Sequence, residues 1–227
     1  MKPTVLSQPA DAVLDHLASG PDTVNDIIIP LANGEPVVLM DTIEAAVAGG
    51  RQGSINVHQM HALHDRPYLH GTYGERMGHT SYFLSHVTRP CYAQRHIELV
   101  PNHFSEVYSL MKRRTTDPLV LAASSPPDRH GYFSLGVSAD YVSSFIGRGR
   151  VFLESNPRMP RTFGRNQIHV SQIAGWTEVD YPLIEVQPAA MDDADHRIAQ
   201  YVAERIPDGA CLQTGIGSIP NAIMSAL

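Results

Sequence analysis

The sequence predicts an α/β fold: an open, mainly parallel sheet flanked by helices, with the start of a second, similar domain. Three observations predict it. Ile27-Ile28-Ile29 is β-branched and apolar at successive positions, as suits a strand covered on both faces. A glycine-containing turn, a stretch of helical spacing and another strand follow it, which makes one βαβ unit. The same alternation then recurs along the chain.

Taken in order, Val13, Leu14 and Leu17 share a helical face that Gly20-Pro21 ends. After the isoleucine strand, Ala32-Asn33-Gly34-Glu35-Pro36 turns the chain, and Pro36 suits a first helical turn. Leu39, Met40, Ile43 and Val47 carry helical spacing to Gly49-Gly50, and residues 54–60 read as the next strand. Residues 96–100 are strand-like, 104–111 helical, and 118–123 an apolar strand. A loop over 124–131 precedes Tyr132 to Gly136, a helix is expected around 139–146, and 151–154 is again a strand. From Asn156 to Gly175 proline, arginine and glycine dominate and periodicity fades. Ile198, Tyr201, Val202 and Ile206 line one helical face, and Pro207-Asp208-Gly209 turns the chain. The expected domains are therefore 1–188 and an incomplete 189–227. In a parallel sheet, ligands bind beyond the carboxyl ends of the strands, which points to the loops at 32–36, 124–136 and 213–220.

The final stretch carries the most chemistry. Ala210-Cys211-Leu212 reads as a short strand that runs into Gly215-Ile216-Gly217-Ser218-Ile219-Pro220 and then into helical spacing. Two glycines let another group approach the backbone closely, and the amides of a helix start suit an anion or a polarised carbonyl oxygen. Gln213 adds a side-chain amide at the strand end. A plain strand-to-helix turn, with glycines for tight packing, is the structural alternative. The chain stops before this unit completes, so the sequence reads as the front part of something longer.

With 227 residues, 43% hydrophobic and 18% charged, the composition is that of a globular protein. A net charge of −6 argues against a dedicated nucleic-acid surface. Lys112-Arg113-Arg114 reads as a solvated helix end, and Arg158, Arg161 and Arg165 as either a phosphate-facing or a solvated loop. Cys91 and Cys211 lie far apart, and both are expected reduced and buried. No signal-type core opens the chain and no apolar run reaches membrane-spanning length, so a cytoplasmic location without membrane association is expected.

Four segments together resemble the acetyl-CoA hydrolase/transferase family, the branch of family I CoA-transferases that includes 4-hydroxybutyrate and acetate CoA-transferases. They are Ser124-Ser125-Pro126-Pro127-Asp128-Arg129-His130-Gly131-Tyr132-Phe133-Ser134-Leu135-Gly136, Asn156-Pro157-Arg158-Met159-Pro160-Arg161-Thr162, Ile168-His169-Val170-Ser171, and Gln213 to Ala222. The resemblance covers most of the chain and is weakest before Asn33. It implies two α/β domains of similar topology around an active site, and CoA transfer through a glutamyl-CoA thioester. It also implies CoA contact at Gly215, Ile216, Gly217, Ser218 and Ile219, with carbonyl polarisation by Gln213. The nucleophilic glutamate would lie shortly after the helix that this turn opens, beyond Leu227. The substrates implied are an acyl-CoA and a short-chain carboxylate. No metal or redox cofactor is implied, coenzyme A being substrate, and a homodimer fits the family. Acyl-CoA hydrolysis, a non-catalytic CoA- or carboxylate-binding module, and a sugar-phosphate isomerase-like domain are the competing readings.

Other constellations carry two readings each. Asn33, Gly34 and Glu35 are candidate substrate-binding residues, with a substrate carboxylate or part of CoA held at the helix start. Alternatively, Asn-Gly permits positive φ and Glu35 sits well by the helix dipole. Asp128 and His130 suggest an acid/base pair but read first as turn chemistry. His58, His61, His64 and His70 invite a metal, yet their spacing converges poorly on a helix. They are expected as loop and strand-end histidines at the sheet's edge, with no metal.

Overall fold

A computed structural model of the chain describes residues 6–20, 22–51, 53–185 and 190–227. It separates into two compact units, Met1–Leu183 and Ile184–Leu227. The predicted boundary between 188 and 189 lies outside the described residues.

The first unit is built on seven parallel strands: β1 (Val24–Ile28), β2 (Ser54–Gln59), β3 (Met77–Ser81), β4 (Glu98–Leu99), β5 (Leu119–Ser124), β7 (Arg150–Ser155) and β9 (Gly175–Glu178). Their order is β4-β3-β2-β1-β5-β7-β9. Two further strands, β6 (Tyr132–Ser134) and β8 (Gln167–His169), form a separate antiparallel pair. The open parallel α/β fold that the sequence predicts is thus the fold observed.

Alternation across the pleat explains the apolar runs. Ile27 and Ile29 enter one apolar layer with Leu119, Leu121 and Phe152, whereas Ile28 enters the other with Val120, Ala122, Val151 and Leu153. Each strand therefore needs apolar residues at successive positions. Helix α1 (Val37–Ala48) covers the first layer through Leu39, Met40, Ile43 and Val47. Helix α3 (Val107–Arg114) and the 3₁₀ turn Tyr141–Phe145 cover the second through Val107, Met111, Tyr141, Val142 and Phe145.

Several expectations need correction. The segment around Val13 is a 3₁₀ helix, Ala10–His16, and the helix expected at 139–146 is only the 3₁₀ turn at 141–145. Strand β3 and helix α2 (Thr88–Ala93) went unread. Met77-Gly78-His79-Thr80-Ser81 is too polar to signal a strand, yet it lies between two other strands and is largely buried. The irregular 156–175 stretch contains β8, which pairs with β6.

The second unit holds helices α4 (Asp193–Ala203) and α5 (Ser218–Ala226). Asp192 caps α4, its carboxylate accepting the Asp195 amide at 2.8 Å. The strand expected at Ala210–Leu212 does not form: the segment has no regular structure and no ladder partner among the described residues. Ile198, Ile219 and Met224 are 39%, 37% and 51% exposed, and Ala199 and Ala222 are the buried positions of the two helices. Among the described residues, no helix is long and apolar enough to cross a membrane.

Candidate functional site

At the carboxyl ends of β1 and β2 the first unit assembles a buried ionic cluster. Glu35, 1% exposed, leaves the 3₁₀ turn Ala32–Gly34 and points inward, not toward a helix dipole. Its Oε1 accepts Arg66 Nε at 2.6 Å, and its Oε2 accepts Gln59 Nε2 at 3.2 Å. His64 Nδ1 approaches Oε2 at 3.2 Å, within ion-pair range but outside hydrogen-bond alignment. Burial alone would raise the Glu35 pKa, but His64 and Arg66 together hold it below the ordinary value. Arg66 spends its other donors on Asp41 at 2.8 Å, Glu44 at 3.3 Å and the Val37 carbonyl at 3.1 Å. Burial opposes its charge, but the carboxylates prevail and raise its pKa. Glu44 goes the other way, with burial raising its pKa despite Arg66. The cluster fixes α1 against the loop after β2.

Gly34 has no positive φ; a Cβ there would come within 2.5 Å of both Pro30 Cβ and Ser138 Cβ. The left-handed residue is Ala32, at φ 52°. Close approach, not backbone freedom, therefore requires this glycine.

The start of α1 is not an open anion site. Pro36 offers no cap, and Glu154, fully buried at the end of β7, supplies one. Its Oε2 accepts the Leu39 amide at 2.8 Å, and Tyr181 donates a short hydrogen bond to Oε1. Burial raises the Glu154 pKa against those bonds. The protein's own carboxylate occupies the place that the helix-start reading reserved for a substrate. Glu154 was missed in the sequence; the one available signal is a charge closing the apolar run Val151-Phe152-Leu153. Gln59 and Arg66 carried no local signal, because their partners come from other elements.

The remaining candidates separate. Asp128 Oδ1 accepts the amides of His130 and Tyr132 at 2.9 Å each, the turn chemistry read first from the sequence. Arg161 pairs with Asp128 at 3.0 Å and Arg158 with Asp180 at 2.6 Å, so both serve the first unit's own loops. His58 is inside the sheet on β2, 1% exposed, between Asp26 and Tyr82 at 3.1 Å each, which corrects its placement at an edge. His61 stacks on Phe83, and His70 pairs with Asp65 at 2.5 Å. Among the described residues no group of three His, Cys, Asp or Glu could hold a metal. Cys91 is buried as expected, but Cys211 is exposed; both are free thiols.

In the second unit, Gln213, Thr214, Gly215 and Ile216 are exposed, and Gly217, at φ 150°, is the N-cap of α5. A cleft of about 270 Å³ runs along this segment, lined by Val202, Ile206, Leu212, Gln213, Gly215 and Ile223 among others. Gln213, Gly215 and Pro220 of α5 thus share one partly apolar cleft.

Comparison with known proteins gives these features a context. The chain is 34% identical over 202 residues to the 4-hydroxybutyrate coenzyme A transferase of Clostridium kluyveri, covering 87% of this chain and 46% of that protein. It is 31% identical over 202 residues to the succinyl-CoA:cyclohexane-1-carboxylate CoA transferase of Geobacter metallireducens, covering 88% and 46%. RipA from Yersinia pestis superposes with a TM-score of 0.87 at 27% identity, over 96% of this chain and 53% of that one. A 4-hydroxybutyrate CoA-transferase from Porphyromonas gingivalis gives 0.73 at 30% identity, over 98% and 51%. The chain thus spans about half the length of these relatives. A profile of the acetyl-CoA hydrolase/transferase N-terminal domain matches residues 23–192. With that match laid over the parallel sheet and its strand-end loops, the chain belongs to the acetyl-CoA hydrolase/transferase family.

Proposed function

We propose that the chain serves CoA transfer between a short-chain acyl-CoA and a carboxylate, through a glutamyl-CoA thioester whose glutamate lies outside these 227 residues. Relatives named as CoA-transferases support the reaction class, and the turn heading α5, exposed at Gly215 and Ile216 and half-buried at Gly217 and Ser218, beside Gln213 is the observation that carries it. A glutamate oxygen attacks the thioester carbonyl and expels CoA thiolate, leaving an acyl-glutamyl anhydride. The thiolate then attacks the glutamyl carbonyl and releases the first carboxylate; the acceptor carboxylate reverses both steps. The Gln213 amide and the turn's N–H groups donate to the oxyanion, and the turn receives the CoA thioester. Asn33, on the loop after β1, is assigned to the carboxylate substrate; Glu35 holds that loop through Arg66, and Gly34, buried with its N–H on the Leu31 carbonyl, supports the turn.

We assign the protein no metal or redox cofactor, a cytoplasmic location and a homodimeric assembly, with coenzyme A as substrate only. The family description also covers hydrolysis, in which water replaces the acceptor. Acetyl-CoA and butyrate incubated with the full-length protein decide the matter by chromatography of the CoA esters. Butyryl-CoA is the expected product. Free CoA formed equally fast without butyrate assigns hydrolysis instead, and neither product overturns both readings.

A further inference from the structure

At the amino ends of β5 and β7, away from the strand-end loops at 32–36 and 124–136, the first unit forms a cavity of about 620 Å³. Tyr108, Lys112, Thr116, Asp117, Phe145 and Arg148 line it. Helix α3 delivers Tyr108 and Lys112, and the turn into β5 delivers Thr116 and Asp117. The 3₁₀ turn before β7 delivers Phe145, with Arg148 just beyond it. Tyr108 and Phe145 meet edge to face at 4.9 Å and form an aromatic wall. Arg148 is held against that wall, its Nη1 donating to Tyr108 Oη at 2.9 Å.

The charges here are not balanced from within. Arg66, Arg114, Arg150, Arg158 and Arg161 each pair with a carboxylate, whereas neither Arg148 nor Lys112 does among the described residues. The carboxylates nearby are already engaged. Asp117 is within ion-pair range of Arg150 at 3.3 Å, and Asp26 accepts the Thr116 amide at 3.4 Å and lies 3.1 Å from His58. The Met111 carbonyl in the last turn of α3 is covered by the Thr115 amide at 3.0 Å and the Thr115 hydroxyl at 2.9 Å. Two cations without acidic partners and an aromatic wall therefore border a space far larger than an inorganic ion needs, within the range of small-molecule sites. A guanidinium takes phosphate oxygens in a planar fork, and an ammonium takes them as a point charge. We propose that this cavity binds a nucleoside phosphate, with Arg148 and Lys112 on the phosphates and the base against Tyr108. The net charge of −6 speaks against a nucleic-acid strand as the source of that chemistry. The site does not depend on the chemistry assigned to the C-terminal turn.

Calorimetric titration of the full-length protein with ADP, pyrophosphate and adenosine tests it. ADP should bind, and pyrophosphate and adenosine should each bind about tenfold or more weakly, because each keeps only part of the contacts. Arg148→Ala and Lys112→Ala should each weaken ADP about tenfold or more, the loss of one charge-assisted contact. Both side chains are exposed, so the circular dichroism of the variants should match the wild type. Arg148→Lys should recover part of the affinity, and added salt should lower it. No ADP binding, equal affinity for ADP and pyrophosphate, or ADP binding that survives both alanine variants overturns the inference. ADP binding lost in Gly217→Val but kept in Arg148→Ala would put the nucleotide at the C-terminal turn and overturn it as well. The acetyl-CoA KM of Arg148→Ala should stay within about twofold. A rise of about tenfold would keep the site and make coenzyme A, rather than a free nucleotide, its occupant.

Discussion

At the scale of single residues, the two glycines of the C-terminal turn have different work to do. Gly217 has φ 150° and opens α5, so a side chain there strains the backbone as well as crowding any ligand. A Cβ on Gly215 meets only Pro220 Cγ at 3.9 Å, an ordinary contact. Gly217→Val should therefore depress turnover of the full-length protein by orders of magnitude. Gly215→Ala should weaken CoA binding with little change in melting temperature. Gln213→Ala should cost about 10²–10³ in kcat if its amide is one oxyanion donor. His61→Ala should stay within a few-fold, because that ring stacks on Phe83 and no metal is assigned there. Normal turnover by Gly217→Val beside a dead His61→Ala would move the site to the histidine loops.

Asp140 offers a second test at this scale. Burial raises its pKa to about 7, against backbone amides, those of Val142 and Leu31 foremost, that favour the charge. With the folded value above the unfolded one, the folded state binds the proton more tightly. The associated stability is full below the unfolded carboxylate value and is lost as pH rises toward about 7. Urea midpoints of the wild type should fall across that window relative to Asp140→Asn. Parallel pH curves for the two proteins would show that Asp140 does not titrate there.

At the scale of elements, α1 is held from outside itself. Glu154 on β7 caps it, Arg66 ties its first turn to the loop after β2, and its apolar face is buried. Helices α4 and α5 are held differently. Val202, Ile206 and Ile223 are only half-buried, and Ile198, Ile219 and Met224 are exposed. A patch of this kind favours association and lowers local stability. Hydrogen exchange should show strong protection at 27–29 and 118–123 and weak protection from about 193 to 227. Equal protection in both regions would reject a boundary near residue 190.

At the scale of the whole molecule, the chain matches about half of the two transferases named above, and the proposed reading assigns it donors but no nucleophile. Backbone amides and Gln213 cannot replace a covalent nucleophile. The purified 227-residue chain should therefore show no transfer or thioester hydrolysis. Acetyl-CoA turnover above background would refute the glutamate's placement outside it.

The sequence by itself determined the layered α/β fold, because apolar runs at successive positions can be satisfied only by strands covered on both faces. It also determined the family, since four ordered segments carry it, and the Asp128 turn, whose hydrogen bonds close within a few residues. Tertiary structure decided whatever depends on distant partners. Polar β3 became a strand because two neighbours bury it, and Ala210–Leu212 did not, for want of a ladder partner among the described residues. Glu35 turned inward to Arg66, and Glu154 took the helix start that sequence reasoning had left open for a ligand. Asp140 accepts the Leu31 amide and Tyr141 donates to the Ile29 carbonyl, each across more than a hundred residues of chain. Local pattern is legible because its energetics are local, whereas a buried charge finds its partner only when the chain closes around it.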